Sequence, residues 1–306
     1  MAETRKSFLL AIEGGGTRTR LLLGDMTGRV LMREAAGPAS PLYIDRTMYE
    51  KEIREVLKRL RAAAKGLKGR VEALGCAGPM DLDTVKKAVE AVLGAVPAST
   101  FGESEIALAL HGLSRGVSLV AGTGASCRAI TSDGDCRSCG GFGPQFGDEG
   151  SGYWIGRMGI STALRAVDGR GGLTGLTPRM CDYFALERPS DIYRLVDRSG
   201  HITGTRVAGF AVQVYEAACD GDLPARQIFK LAGRELASLV IATTRLARFH
   251  MKPIPLVLSG GVFRASELLL RSFRSELAKS GFPFKVHGIA HEPTEGILRL
   301  MAQERG

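Results

Sequence analysis

Two glycine-rich loops dominate the residues of this chain that could do chemistry. The first contains Gly14, Gly15, Gly16, Thr17 and Arg18, and the second contains Gly122, Thr123 and Gly124. Each loop lies between two short apolar runs. Glycine lacks a Cβ, so a phosphate can approach the backbone, and successive N–H groups can surround the anion. We interpret both loops as phosphate holders; the alternative is a pair of tight turns.

The loops do not match the common nucleotide-binding motifs. The first lacks the Gly-Lys-Ser/Thr ending of a Walker loop. It is followed by the strand-like run Leu21–Leu23, whereas a dinucleotide fingerprint would be followed by a helix. A third loop, Ser259-Gly260-Gly261, lies between a predicted strand and a predicted helix. We expect it to let an adenosine lie against bare backbone.

The composition limits the class of protein. The chain has 306 residues, 44% of them hydrophobic, which is enough for two domains. It has no apolar run long enough to span a bilayer and no signal-peptide pattern, so we expect a cytoplasmic protein without a membrane partner. The formal net charge is +9, but no long run of like charges accompanies it. We therefore expect no nucleic-acid partner and note that a positive field suits a polyphosphate.

One cysteine pair has metal-like spacing. Cys136 and Cys139 form a CxxC motif without a second pair, which is a weak signal for metal binding or redox chemistry. The simpler interpretation is an ordinary loop.

The order of apolar runs predicts an α/β chain of two lobes. Strand, glycine loop, strand and polar turn occur near the N-terminus and again from Gly116 onward. Amphipathic helices follow in each half, such as 50–65, with Ile53, Val56, Leu57 and Leu60 on one face. We place the join near residues 114–116 and expect Thr294 to cap a final helix.

These residues carry a family resemblance. Five segments occur in family order: the Glu13–Thr19 loop, the Gly122–Arg128 loop, Cys139–Gly143, Gly147–Ile155 and Ser259–Gly261. The chain resembles the N-acetylglucosamine kinase branch of the BadF/BadG/BcrA/BcrD ATPase family, in the superfamily of sugar kinases, heat-shock chaperones and actin. The likeness runs nearly end to end, and the Gly-Asp-Glu-Gly-Ser block is its most specific part.

The resemblance implies two RNase H-like (actin-like ATPase) lobes with ATP and Mg²⁺ in a nucleotide cleft between them. It implies an N-terminal lobe over residues 1–115 and a C-terminal lobe with a helical insertion over residues 116–293. The last helix, 294–306, is expected to pack back on the first lobe. A homodimer is possible.

The resemblance also assigns the acids. The family base is an Asp just before a helix, and Glu103 has that position here, with one more methylene. The superfamily places an acid near the Mg²⁺ water shell, which corresponds to Glu13. The alternatives are that Glu103 and Glu105 only favour a helix N-terminus, and that Glu13 is an acid beside Arg18 and Arg20.

The expected sugar contacts are less well matched to the family. They are Tyr43, Ser126, Gly141, Asp148 and Glu149. Pro41 and Ser126 stand where N-acetylglucosamine kinases have Asn, so the preference for an N-acetyl group is open. Asp148 could instead cap the helix that follows it.

We therefore predict an ATP-dependent kinase that phosphorylates a hydroxyl of a hexose or amino sugar of the N-acetylglucosamine or glucosamine type. The alternative is an activator ATPase that drives a redox partner and binds an iron–sulfur cluster through Cys136 and Cys139. A nucleotide-binding regulator without turnover is a third possibility.

Overall fold

The computed structural model describes residues 6–14, 18–37, 46–78, 80–195, 204–249, 252–290 and 293–305. The chain divides into two compact units. The first unit comprises Met1–Ser114 and Glu292–Gly306, and the second comprises Arg115–His291.

Strands and helices alternate along the chain. The strands are β1 Lys6–Glu13, β2 Thr19–Asp25, β3 Val30–Ala36, β4 Gly69–Ala77, β5 Ala98–Thr100, β6 Gly116–Ala121, β7 Ala125–Ile130, β8 Cys136–Gly140, β9 Ile254–Ser259 and β10 Phe284–Ala290. The helices are α1 Arg46–Gly66, α2 Leu82–Leu93, α3 Glu103–Leu110, α4 Gly152–Val167, α5 Leu176–Phe184, α6 Gly204–Gly209, α7 Ala211–Cys219, α8 Leu223–Ala247, α9 Gly261–Ala265, α10 Glu267–Lys279 and α11 Pro293–Gln303. A 3₁₀ helix covers Pro189–Leu195.

Both units have a five-stranded sheet with the same plan. The first sheet has the order β3-β2-β1-β4-β5, and the second has the order β8-β7-β6-β9-β10. In each, the first three strands are antiparallel, and the last two run parallel to the central one. The predicted internal repeat and the α/β class are thereby confirmed. Because β1, β4 and β5 run parallel to one another, as do β6, β9 and β10, the carboxyl ends of these strands lie at one edge of each sheet.

The first sheet is covered on both faces. Alternate residues of β1 enter two separate cores: Phe8, Leu10 and Ile12 pack with residues of α1 and α2. Leu9 and Ala11 pack with Ile297 and Leu298 of α11. This explains why β1 is a continuous apolar run, since successive side chains in a strand point to opposite faces.

The last helix completes the first unit. α11 contacts β1, β2, β4 and α3. The contact is close at Gly75, where a Cβ would lie 2.4 Å from Cγ2 of Ile297. The helix begins at Pro293, so Thr294 lies inside its first turn. The prediction that Thr294 caps this helix was therefore wrong, and its hydroxyl has a different partner, described below.

The CxxC segment is a strand, and the simple interpretation as a loop was wrong. Residues Cys136–Gly140 form β8, which pairs with β7 in a register that places Cys139 opposite Cys127. Residues three apart in a strand point to opposite faces. Cys136 and Cys139 are therefore poorly placed to bind one metal ion together.

Among the residues that the structure describes, no helix combines the length and the apolar character needed to cross a bilayer.

Candidate active site

The second glycine loop is a three-residue turn between β6 and β7. Its first N–H, of Gly122, donates to the carbonyl of Gly124 at 2.9 Å, which closes the turn. The N-terminus of α4 holds the outer carbonyls: Gly152 N–H donates to Gly122 O at 2.8 Å, and Tyr153 N–H donates to Thr123 O at 3.1 Å. The loop therefore has a fixed backbone orientation.

This orientation exposes two donors. In a trans peptide the C=O and the following N–H point in opposite directions. Because α4 binds the carbonyls of Gly122 and Thr123, the N–H groups of Thr123 and Gly124 point away from α4. Neither donates a hydrogen bond to any residue that the structure describes. Two parallel, unused N–H groups are an arrangement that binds an anion such as a phosphate.

Space beside the loop is available on the Gly122 side. A Cβ built at Gly122 would meet no heavy atom within 4 Å. At Gly124 a Cβ would lie 2.7 Å from Oδ2 of Asp148. The two glycines thus have different roles: the first leaves an open surface, and the second allows a carboxylate to pack beneath the loop.

Asp148 supports the second glycine loop from below. Its Oδ1 accepts a hydrogen bond from the N–H of Ala125 at 3.1 Å, and its side chain is buried. Burial raises the pKa of the Asp148 carboxyl; the bond from Ala125 opposes that shift, and the charge of Glu149 adds to it. The helix cap is instead Ser151, whose Oγ accepts from Trp154 N–H at 3.1 Å. The alternative interpretation of Asp148 as the cap of α4 was therefore wrong.

Two more predicted sugar contacts lie beside this loop. Gly141 has a φ of +74°, and its N–H donates to the carbonyl of Ala125 at 2.9 Å. A Cβ there would lie 3.2 Å from Cβ of Ser126. Glu149, next to Asp148, is half-buried. Ser126, Gly141 and Asp148 are thus gathered at the start of β7, whereas Tyr43 lies outside the described residues.

The third glycine loop adjoins the second. Ser259 pairs with Val120 at the ends of the parallel strands β9 and β6. Gly260 has a φ of +106°, and a Cβ there would lie 2.1 Å from the carbonyl oxygen of Ala121. Only glycine fits this position, which brings Gly260 against the residue that precedes Gly122. Gly261 opens α9 and has an open surface, with no heavy atom within 4 Å of a built Cβ.

The first glycine loop is described only at its ends. Gly14 continues the pairing of β1 with β4, and its N–H donates to Ala77 O at 2.9 Å. The Gly14 N–H is therefore engaged within the sheet, and the predicted phosphate contact at Gly14 stays a prediction. Arg18 is exposed. Gly15, Gly16 and Thr17 lie outside the described residues.

Glu13 ends β1 and contacts the last helix. Its Oε2 accepts from the hydroxyl of Thr294 at 2.6 Å and from Nη1 of Arg20 at 3.3 Å. Both of these bonds go to one carboxylate oxygen, and Oε1 has no partner among the described residues. The predicted neighbour Arg20 is thus a real partner, while Thr294 was missed because the sequence gives no sign that residues 13 and 294 meet.

Glu103 is the first residue of α3 and is exposed to solvent. The pKa of its carboxyl is raised, first by partial loss of hydration and second by the negative charge of Glu13. The capping role belongs to its neighbour Glu105, which accepts from the N–H of Gly102 at 2.8 Å. Within the described residues, Glu103 has no hydrogen-bond partner, so no hydrogen bond of its carboxylate stabilises the fold there.

The carboxylates of Glu13 and Glu103 are close enough to influence each other. Carboxylate oxygens are suitable for Mg²⁺, which usually keeps several waters and binds one or two carboxylates plus phosphates. The described residues contain no group of three or more His, Cys, Asp or Glu that could hold a metal ion by themselves. The donor set is therefore compatible with Mg²⁺ brought by a nucleotide, rather than with a dedicated all-protein site.

Comparison with known proteins now gives the family. A family model described as the BadF/BadG/BcrA/BcrD ATPase family matches residues 10–298. The chain belongs to the BadF/BadG/BcrA/BcrD ATPase family. The matched region includes the two glycine loops, Glu13 and Glu103, and it ends within α11.

Two similar proteins are sugar kinases by name. The chain is 29% identical to the N-acetylmuramic acid/N-acetylglucosamine kinase of Clostridium acetobutylicum, over 97% of this chain and 99% of that protein. It is 26% identical to the N-acetyl-D-glucosamine kinase of Dictyostelium discoideum, over 84% and 85% of the two chains.

The fold is shared with a solved structure. A proposed N-acetylglucosamine kinase from Chromobacterium violaceum has a TM-score of 0.70 at 22% identity, covering 98% of this chain and 100% of that one. The likeness confirms the predicted actin-like ATPase fold.

Proposed function

We propose that this protein is an ATP-dependent kinase that phosphorylates a hydroxyl of an amino sugar of the N-acetylglucosamine type. The observation that carries the proposal is the pair of outward N–H groups at Thr123 and Gly124, fixed by the N-terminus of α4. The two curated relatives, which are sugar kinases by name over most of their length, support the acceptor class.

The proposed reaction transfers the γ-phosphoryl group of ATP to a sugar oxygen. Such a transfer depends mainly on positioning the phosphates and on stabilising their charge. Thr123 and Gly124 would donate to phosphate oxygens, and Ser259, Gly260 and Gly261 would lie against the adenosine. The contact of Gly260 with Ala121 keeps these two loops adjacent, which suits a ligand that has its nucleoside next to its phosphates.

Glu103 is the proposed general base. The sugar hydroxyl oxygen forms a bond to the γ-phosphorus, the bond from that phosphorus to the ADP oxygen breaks, and the hydroxyl proton moves to the Glu103 carboxylate. A raised pKa makes the Glu103 carboxylate a better proton acceptor than an ordinary Glu. Because Glu103 does not cap α3, its carboxylate is available to accept this proton.

Mg²⁺ would neutralise phosphate charge when it is bound with ATP. Glu13 is the residue that we propose to interact with its water shell. Thr294 and Arg20 hold the Glu13 carboxylate in place through Oε2, which leaves Oε1 for a water molecule.

The acceptor sugar would be held by residues near the start of β7. Ser126, Gly141, Asp148 and Glu149 are the proposed contacts in the second unit, and Tyr43 is a further proposed contact. Asp148 Oδ1 accepts from the N–H of Ala125, and Oδ2 is the oxygen that we propose to accept from a sugar hydroxyl. We further propose a cytoplasmic protein, and the homodimer stays a prediction that light scattering would test.

ADP release measured across a sugar panel tests the proposal. The panel contains N-acetylglucosamine, N-acetylmuramic acid, glucosamine and glucose, each with ATP and Mg²⁺. We expect ADP release that depends on at least one amino sugar and matches sugar phosphate formed in a one-to-one ratio. ADP release that is independent of sugar would support the activator ATPase, and no release would support the regulator. Either result would overturn the kinase proposal.

A further inference from the structure

The first unit contains a concave site at the edge of its sheet opposite to Glu13. A cavity of about 870 Å³ lies at the amino ends of β1 and β4 and is bordered by the last turns of α1 and the end of the chain. β1 and β4 are parallel, so this edge is one strand length away from their carboxyl ends, about 25 Å. The cavity is therefore separate from the candidate active site.

The walls of this cavity are strongly basic. Among the described residues, six basic ones line it: Lys6, Arg61, Lys65, Lys68, Arg70 and Arg305. The one acidic lining residue among the described ones, Glu72, already accepts from Arg70 Nε at 2.7 Å and from Ser7 Oγ at 3.2 Å. The Arg70 bond holds the pKa of Glu72 below its usual range, so Glu72 stays ionised but balances only part of the positive charge.

Three of the cations have no acidic partner of their own. Within the described part of the chain, Lys6, Arg61 and Lys65 form no ion pair with an Asp or Glu. Other exposed cations of α1 differ: Lys58 pairs with Glu55, and Arg59 pairs with Glu34. Like charges that face one cavity repel each other, and a bound anion relieves that repulsion.

The floor of the cavity is apolar. Val71, Leu93 and Val96 are half-buried, line the cavity and pack against the core formed with α1 and α2. A basic rim above an apolar floor matches a ligand with a charged part and a flat or apolar part. Simple inorganic anions would use only the rim, whereas a nucleotide would use both.

We propose that this cavity is a second ligand site that binds a nucleoside diphosphate or a molecule of that class. The phosphates contact Arg61, Lys65 and their basic neighbours, and the base or sugar lies on the floor at Val71 and Val96. The concave outline favours a small molecule over a nucleic-acid strand, which would need a continuous basic surface. The proposal does not depend on the kinase activity.

Calorimetric titration with three probes tests the proposal: uridine diphosphate, inorganic pyrophosphate and uridine. Each titration is made with the wild type and with the Arg61→Ala/Lys65→Ala variant, so that binding at the glycine loops is recognised as the part that the variant keeps. For the part of the binding that the variant loses, we expect uridine diphosphate to bind more tightly than pyrophosphate and uridine not to bind. The Kd should rise with salt, since exposed charges are screened.

Two double variants distinguish ligand binding in this cavity from a general effect of surface charge. Arg61→Ala with Lys65→Ala should weaken uridine diphosphate binding at least about tenfold, because two unpaired cations are lost. Lys86→Ala with Lys87→Ala removes the same charge from exposed positions on α2 outside the cavity, and should leave the Kd within about twofold.

Three results would overturn the proposal. One is no binding of uridine diphosphate or pyrophosphate to the wild type at millimolar concentration. Another is equal binding by the Arg61/Lys65 double variant and the wild type, with thermal unfolding confirming that both are folded. The third is binding of a nucleic-acid oligonucleotide that requires Arg61 and Lys65 while the small probes do not bind. None of these results bears on ADP release, so failure here leaves the kinase proposal standing.

Discussion

At the scale of single residues, the two carboxylates of the first unit have unequal surroundings. Glu13 is held by Thr294 and Arg20, whereas Glu103 has a raised pKa and no described hydrogen-bond partner. Two neighbouring carboxylates with such different surroundings are common in active sites where one acid binds a ligand and the other accepts or donates a proton. This asymmetry supports the division of roles that we propose.

Replacement of the proposed base should remove phosphoryl transfer without removing nucleotide binding. Glu103→Gln keeps the size of the side chain but cannot accept a proton, so kcat should fall about 10²–10⁴-fold. The binding of a non-hydrolysable ATP analogue, measured by calorimetry, should be unchanged.

Glu105→Gln is the matched control, since Glu105 caps α3 and has no proposed chemical role. It should lower stability by about 1 kcal/mol at most and leave kcat close to that of the wild type. Undiminished turnover in the Glu103 variant would remove this residue from the mechanism.

The raised pKa of Glu103 predicts the pH dependence. The base must be ionised, so kcat/KM should fall as the pH drops through its pKa, with a midpoint above the ordinary value of 4.5. The Glu13 charge contributes to the shift, and Glu13→Gln should therefore move the acid limb to lower pH even if the rate itself falls. A limb that stays in place or moves to higher pH in that variant would contradict the assignment.

At the scale of elements, the carboxyl ends of β6 and β9 place two glycine loops side by side. The close approach of Gly260 to Ala121 makes this arrangement intolerant of a side chain, because a Cβ would lie 2.1 Å from a backbone oxygen at a φ of +106°. The adjacent Gly261 has no such restriction.

These neighbouring glycines give a paired test of the loop geometry. Gly260→Ala should lower the free energy of unfolding by about 2 kcal/mol or more, from backbone strain and overpacking. Gly261→Ala should change it by less than about 0.5 kcal/mol, since alanine suits the first turn of a helix. Thermal and urea unfolding of both variants measures the difference. Equal stability of the two would mean that Gly260 does not approach Ala121 closely.

Much of the element order could be predicted from the sequence, because periodicity is a local signal. The strands before each glycine loop are buried apolar runs, and α1 has its apolar residues at helical spacing. β8 was missed because Cys136–Gly140 has no β-branched or aromatic residue. Its strand conformation comes from backbone pairing with β7, which depends on tertiary structure.

The hydrogen bonds of the candidate site were less predictable. The sequence suggests that the glycine loops hold phosphates, but not which N–H groups remain unused. Gly14 donates to β4, and α4 orients the second loop through Gly152 and Tyr153. These partners come from elements that are distant in sequence, so only the fold could reveal them.

At the scale of the whole molecule, the first unit is built from both ends of the chain. Residues 13 and 294 are joined by a hydrogen bond of 2.6 Å, and α11 forms part of the core on one face of the first sheet. No local pattern reveals such a contact; the expectation that this helix packs back came from the family resemblance.

The contribution of α11 to stability can be measured with two leucine variants. Leu298 is 0% exposed and lies against Gly24 of β2, so Leu298→Ala should cost about 2–5 kcal/mol. Leu173 is 97% exposed, and Leu173→Ala should cost less than about 0.5 kcal/mol. Urea unfolding followed by circular dichroism gives both values. A small cost at Leu298 would show that the last helix is not part of the core of the first unit.

The most direct test of the proposed kinase site is a crystal structure with a non-hydrolysable ATP analogue and N-acetylglucosamine bound. We expect phosphate oxygens within hydrogen-bond distance of the N–H groups of Thr123 and Gly124, and a sugar hydroxyl within hydrogen-bond distance of the Glu103 carboxylate. A triphosphate bound away from Thr123 and Gly124, or a sugar bound out of reach of Glu103, would contradict the proposed site.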